Sequence, residues 1–220
     1  ISAAQVQRLI LTASGGPFLN HSDLSRVTVQ DALRHPTWVM GEKITIDSAT
    51  LANKGLEVLE AHWLFHQPLS KIDVLIHPQS IVHGIVELIN GAQIAQMGCP
   101  DMKMPILYAL SRGQITAFSG NSLNLTQTPL EFSSPDMTKF PALQLAYEAG
   151  KLGHTYPAVF NAANEAAVAL FLTGRIRFLQ ITELIDKALT DHTAIKTPSL
   201  EDILDADAVA RRHVENHATN

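Results

Sequence analysis

The chain has 220 residues, 46% of them hydrophobic, and 16 Lys and Arg against 21 Asp and Glu give a formal charge of -5. It is long and apolar enough to bury a core, and its acidic balance argues against a nucleic-acid surface built on general positive charge. The longest apolar runs, such as residues 166–172, fall far short of the roughly 18 residues a membrane span needs, and the lone Cys99 cannot form an internal disulfide, so a protein of the reducing cytoplasm without membrane or nucleic-acid partners is expected.

The chain opens at Ile1 without an initiator methionine, and residues 1–12 read as a connecting piece running into an apolar strand over 9–12, as if the sequence began inside a larger protein. Ala13-Ser14-Gly15-Gly16-Pro17-Phe18 then forces a loop. Residues 27–34 suit a short helix. Pro36 disfavours helix at the residue before it and makes 35–41 an irregular segment. Ile44-Thr45-Ile46 reads as a brief strand, with Asp47 or Ser48 capping a helix over 49–65 whose apolar face is Ala52, Leu56, Leu59 and Trp63. Strands are expected over 72–76, 81–89 and 92–97, the last two joined by an Asn90-Gly91 hairpin turn. Residues 101–110 read as helix. A linker rich in Ser, Thr, Asn, Gly and Pro covers 113–137, with at most one strand at 130–133. Helical periodicity follows over 141–151, 158–172, 181–191 and 200–216, with Gly150, Gly153 and Gly174 as stops. The fold class is therefore α/β: a mixed or largely antiparallel sheet domain over 1–111, a linker over 112–136 and a small all-α bundle over 137–220.

The densest polar pattern lies at residues 47–57. Spacings of three and four place Asn53, Lys54 and Glu57 on one helix face, where free N–H groups and the helix dipole favour an anion such as phosphate. The alternative is that Asp47 and Ser48 merely cap and that Lys54 and Glu57 form a surface ion pair of little energy. Ser14-Gly15-Gly16 is a second possible anion loop, although neither nucleotide-binding glycine fingerprint is present. Trp38 and Met40 suit either an apolar lid or an anchor to the core. His35, His77 and His83 lack the compact spacing of a zinc site, and structural histidines remain the simpler reading.

Taken together, Thr12-Ala13-Ser14-Gly15-Gly16-Pro17-Phe18, Arg34-His35-Pro36-Thr37-Trp38-Val39-Met40-Gly41, Asp47-Ser48-Ala49-Thr50, Asn53-Lys54-Gly55-Leu56-Glu57, Leu75-Ile76-His77-Pro78-Gln79-Ser80 and Pro100-Asp101-Met102 resemble the 1-deoxy-D-xylulose 5-phosphate reductoisomerase family. Asn161-Ala162-Ala163-Asn164-Glu165 is similar to that family's C-terminal domain. The resemblance implies a homodimeric enzyme that rearranges a sugar phosphate and reduces the product with NADPH, using Mg2+ or Mn2+. It implies Ser14, Ser48, Asn53 and Lys54 as phosphate and hydroxyl contacts, Glu57 as a metal ligand, and residues 35–40 as a flap with Trp38 over the sugar. His83 would border the substrate, Gly41, Pro100 and Met102 would lie on the nicotinamide side, and Lys54, Glu57 and His35 would carry the catalytic roles. The family's NADPH-binding domain, its Asp-Ser-Glu segment with the other two metal carboxylates, and a substrate lysine have no counterpart here. The chain alone is thus expected to be inactive. A stand-alone sugar-phosphate-binding or dimerising module, and an unrelated phosphosugar aldolase or isomerase, are the competing readings; the latter would need a Schiff-base lysine or second carboxylate base.

Overall fold

A computed structural model describes residues 2–127 and 129–218. Strand β1 (Val6–Ala13) leads through α1 (Val29–Ala32), α2 (Glu42–Thr50) and α3 (Ala52–Phe65) to β2 (Ile72–Ile76). Strands β3 (Val82–Leu88) and β4 (Gln93–Met97) and helix α4 (Lys103–Leu110) follow, then α5 (Pro141–Leu152), α6 (Tyr156–Leu172), α7 (Phe178–Asp191) and α8 (Leu200–His217). The sheet is mixed, in the order β2-β1-β3-β4: β1 and β2 run parallel, and the β1–β3 and β3–β4 pairs are antiparallel. The parallel pair needs a long crossover, which α1 to α3 supply. The β3–β4 hairpin turns at Asn90-Gly91, where Gly91 takes the left-handed φ of 83° that such turns demand.

The brief strand expected at Ile44-Thr45-Ile46 is instead the middle of α2, so Asp47 and Ser48 sit inside a helix and cap nothing. Three β-branched residues in a row suggested extended chain, but Thr45 and Ile46 are buried against neighbouring helices, and the Thr45 hydroxyl donates to the Gly41 carbonyl at 2.8 Å. Packing and this bond to the preceding turn override the local preference. The expected single helix over 49–65 is likewise broken at Leu51, whose φ of 62° ends α2 and starts α3. Its side chain is only 2% exposed, and that burial offsets the cost of a left-handed leucine. The buried face of α3 is Ala52, Gly55, Val58, Leu59 and Ala61, while Trp63 is 64% exposed, which removes it from the expected apolar face.

At Gly55, α3 meets α5 so closely that an added Cβ would lie 2.6 Å from the Cβ of Ala146. Tyr147 of α5 donates its hydroxyl to the carbonyl of Ile72 at 2.8 Å, and burial, with the charge of Asp73, pushes its pKa up to about 12. One hydrophobic cluster runs from Phe18 and Ile46 through Val58, Leu143 and Phe160 to Ile181 and Val214. The strand expected at 130–133 reduces to one antiparallel bridge between Ser133 and Ile76, which brings the linker back to the β2 edge. Gly153 and Gly174 follow helix ends, whereas Gly150 lies within α5. No helix among the described residues is long and apolar enough to cross a membrane.

Candidate active site

A cleft of about 770 Å3 opens where the parallel strands end, walled by Thr12 to Ser14 after β1, His77 and Ser80 after β2, and the start of β3. Ligands in α/β sheets commonly bind beyond the carboxyl ends of such strands. The opposite wall is α2 and the first turns of α3. Of the residues singled out in the sequence, Ser14, Trp38, Ser48, Asn53, Lys54, Glu57, His83 and Met102 all line this one space. Gly41 and Pro100 are exposed and outside the lining, and His35 lies behind it.

Gly16 fixes the near wall. Its φ of 66° and its position against Ser48 leave no room for a side chain: a Cβ would fall 2.7 Å from the Ser48 carbonyl oxygen. This close approach of loop to helix sets the hydroxyls of Ser14 and Ser48 3.0 and 3.1 Å from Nε2 of His35. The other ring nitrogen, Nδ1, accepts the backbone N–H groups of Thr37 and Trp38 at 3.1 and 2.9 Å. Because Nδ1 accepts two amides, the hydrogen bonding assigns the proton of the neutral ring to Nε2, facing the two serines. One histidine thus pins the start of the 35–41 segment to both sides of the cleft. Beyond that pin Trp38 and Met40 line the cleft, whereas Val39 is fully exposed.

Burial holds the pKa of His35 below the usual histidine value. A depressed histidine contributes stability that is fully present above its unfolded pKa, near 6.5, and is lost as pH falls through the folded pKa. Protonation at Nδ1 also forces out the two amides. Acidification from about pH 7 to 5 is therefore expected to lower stability and release Trp38. In a Trp63→Phe background, Trp38 fluorescence should shift to the red over that interval, and His35→Gln should abolish the shift. An unchanged spectrum in the histidine-containing protein would mean that His35 does not hold Trp38 in place.

On the far wall, Glu57 is held by both neighbours foreseen from the helical spacing. Its Oε1 accepts from Nδ2 of Asn53 at 2.7 Å and its Oε2 pairs with Nζ of Lys54 at 2.5 Å. The Lys54 side chain is 11% exposed and that of Glu57 37% exposed, so this is no solvated surface pair. His77 is buried and satisfied: Ile81 N–H donates to its Nε2 at 3.1 Å, which leaves Nδ1 to donate to the Glu131 carbonyl at 2.8 Å. His83 differs, for its Nε2 is buried and has no hydrogen-bond partner.

Two residues of the site were missed in the sequence. Lys43 lines the cleft and pairs at 2.6 Å with Asp47, which is 1% exposed and accepts from Nδ2 of Asn164 in α6 at 2.9 Å. Burial raises the pKa of Asp47 despite these partners. The signal was the Lys43–Asp47 spacing of four residues, hidden because the segment read as a strand and a cap. No three metal-ligating side chains converge in the cleft among the described residues. Glu57 is one of four carboxylates that line the cleft, with Asp47, Glu60 and Asp101.

Residues 97–213, more than half of the chain, match the family model described as the DXP reductoisomerase C-terminal domain, and residues 1–65 match one for the 1-deoxy-D-xylulose 5-phosphate reductoisomerase C-terminal domain. The chain belongs to the 1-deoxy-D-xylulose 5-phosphate reductoisomerase family. It is 56% identical to the reductoisomerase of Synechococcus sp. (strain JA-2-3B'a(2-13)), over 96% of this chain and 55% of that protein. Identity to the Chlorobium chlorochromatii (strain CaD3) reductoisomerase is 54%, over 95% of this chain and 56% of the relative. The chain thus spans about half the length of these relatives. The Zymomonas mobilis reductoisomerase in complex with NADPH superposes with a TM-score of 0.90 at 42% identity, covering 98% of this chain and 56% of that one. A DOX-P reductoisomerase in complex with NADPH, fosmidomycin and magnesium superposes with a TM-score of 0.92 at 39% identity, covering 97% of this chain and 55% of that one.

Proposed function

We propose that this chain is the substrate-side portion of an NADPH-dependent reductoisomerase that converts 1-deoxy-D-xylulose 5-phosphate to 2-C-methyl-D-erythritol 4-phosphate. The observation that carries the reading is the convergence of Ser14, Ser48, Asn53, Lys54 and Glu57 on one cleft with the unpartnered Nε2 of His83. Two hydroxyls, an amide and an ammonium suit the oxygens of a phosphate, and the N-terminal turn of α3 adds its dipole. His83 is left for a substrate hydroxyl or carbonyl, and Trp38 with Met40 forms the apolar wall that excludes water from the sugar. Gly41, Pro100 and Met102 remain assigned to the nicotinamide side, which requires Gly41 and Pro100 to meet a cofactor held mainly by other residues.

Glu57 would supply one oxygen to Mg2+ or Mn2+, held in place by Asn53 and Lys54. The cation, when bound, polarises carbonyl and hydroxyl oxygens of the substrate. Mg2+ takes near-octahedral oxygen coordination from a few carboxylates, substrate oxygens and water, and the reading assigns the other carboxylates and the hydride donor's principal site to the part of the relatives that this chain does not span. Without positioned reactants, an effective-molarity advantage of up to roughly 7–11 kcal/mol is forfeited.

The purified chain is therefore expected to show no NADPH oxidation with 1-deoxy-D-xylulose 5-phosphate and Mg2+. Fusion to the N-terminal portion of the Synechococcus relative should give turnover, and Glu57→Gln in that fusion should lower kcat about 100-fold or more. Turnover by the chain alone, lost in Glu57→Gln, would refute the incomplete-site reading. A fusion that binds substrate and NADPH but is indifferent to Glu57→Gln would refute the metal role.

A further inference from the structure

We propose that Asp191, His213 and His217 form a second metal site, for a divalent transition-metal ion of the Zn2+ class, where the end of α7 meets the last turns of α8. One ligand atom from each of the three side chains lies within 4.8 Å of the others. None of the three lines the cleft, so the site is separate from the Glu57 region.

The chain builds this grouping from two simple placements. His213 and His217 are four residues apart on α8, which stacks them on one helix face with ring centroids 4.1 Å apart. Asp191, the last residue of α7, brings a carboxylate oxygen to 3.4 Å from Nε2 of His213. That separation is long for a hydrogen bond, and Nε2 of His213 is a buried atom without a hydrogen-bond partner. A buried ring nitrogen without a hydrogen-bond partner beside a carboxylate is an unmet polar requirement, and a cation meets it when that nitrogen is the unprotonated one.

His217 is already oriented as a ligand. Its Nδ1 lies 2.8 Å from the carbonyl of His213, an acceptor only, so Nδ1 carries the proton and Nε2 keeps its lone pair. A backbone carbonyl holding the second ring nitrogen is the usual outer partner of a metal-bound histidine. Two imidazoles and one carboxylate suit Zn2+ with water in a fourth position, and they suit Mg2+ poorly because it prefers oxygen donors throughout. A bound ion would tie the end of α7 to the last turn of α8, which also packs on α6. It would therefore stabilise the C-terminal helices by mass action.

The test is a titration of the purified chain with Zn2+ against a chromophoric chelator, with thermal unfolding measured in parallel. One ion per chain is expected, with a dissociation constant in the micromolar range, a rise in Tm and no displacement by millimolar Mg2+. Asp191→Asn and His217→Ala should each weaken binding about tenfold or more and abolish the Tm rise. The side chain of Asp191 is 52% exposed, so Asp191→Asn should leave the metal-free melting curve unchanged and separate ligand loss from unfolding. Glu57→Gln should bind Zn2+ as the parent does. Absence of saturable binding, binding untouched by both substitutions, or binding lost in Glu57→Gln would each overturn the proposal.

Discussion

Replacing Gly16 with alanine is expected to lower stability by roughly 2–4 kcal/mol and to disrupt the near wall of the cleft. Two costs add. A left-handed alanine costs about 1 kcal/mol or more. The new Cβ would also lie 2.7 Å from the carbonyl oxygen of Ser48 and 3.1 Å from Cα of Ala49. Both are backbone atoms of α2, where Ala49 is fully buried, so neither can yield without moving the helix, and overpacking of this kind costs about 1–3 kcal/mol. Gly15 provides the control. It also has a left-handed φ, of 87°, but its Cβ would meet the side chains of Leu19 and Ile76 at 3.0 and 3.1 Å, where small rotations relieve the contact. Urea unfolding should place Gly16→Ala well below Gly15→Ala at unchanged m. Equal midpoints would show that the loop, and not its approach to Ser48, sets the cost.

Lys54→Ala should weaken binding of inorganic phosphate or a sugar phosphate roughly 10- to 150-fold, the equivalent of one charge-assisted hydrogen bond of about 1.5–3 kcal/mol. The upper part of that range is expected because the Lys54 side chain is only 11% exposed and thus weakly screened. Removing the lysine also leaves the Glu57 carboxylate, now paired at 2.5 Å, facing the incoming anion without its cation. Lys54→Ala with Glu57→Gln should therefore recover part of the lost affinity, as a double-mutant cycle by calorimetry would show. Binding in Lys54→Ala equal to that of the parent would remove the lysine from the phosphate site.

The difference between what was legible in the sequence and what was not follows the range of the forces involved. The Asn90-Gly91 hairpin and the neighbouring groups Asn53, Lys54 and Glu57 depend on contacts within a few residues, and spacing predicts them. The strands of the sheet and the four C-terminal helices were likewise readable from periodicity, with ends displaced by at most three residues, whereas a mixed and a largely antiparallel sheet could not be told apart. Helix α2 was not, because its helical state comes from burial of Thr45, Ile46 and Asp47 against helices distant in sequence. The bond from Asn164 to Asp47 spans 117 residues and has no local signature. His35 as a pin between Ser14 and Ser48 depends on the same long-range closure. The sequence motifs suggested which residues belong to one site, while the tight contact at Gly16 is visible only in three dimensions.

If one cleft in this chain receives the phosphate of a sugar substrate, a crystal structure of the chain with 1-deoxy-D-xylulose 5-phosphate will show it there. The phosphate is expected within hydrogen-bond distance of Ser14, Ser48, Asn53 and Lys54, with Trp38 over the sugar and Nε2 of His83 bonded to a substrate oxygen. A phosphate bound elsewhere, or one in the cleft that leaves Lys54 and both serines untouched, would contradict this placement.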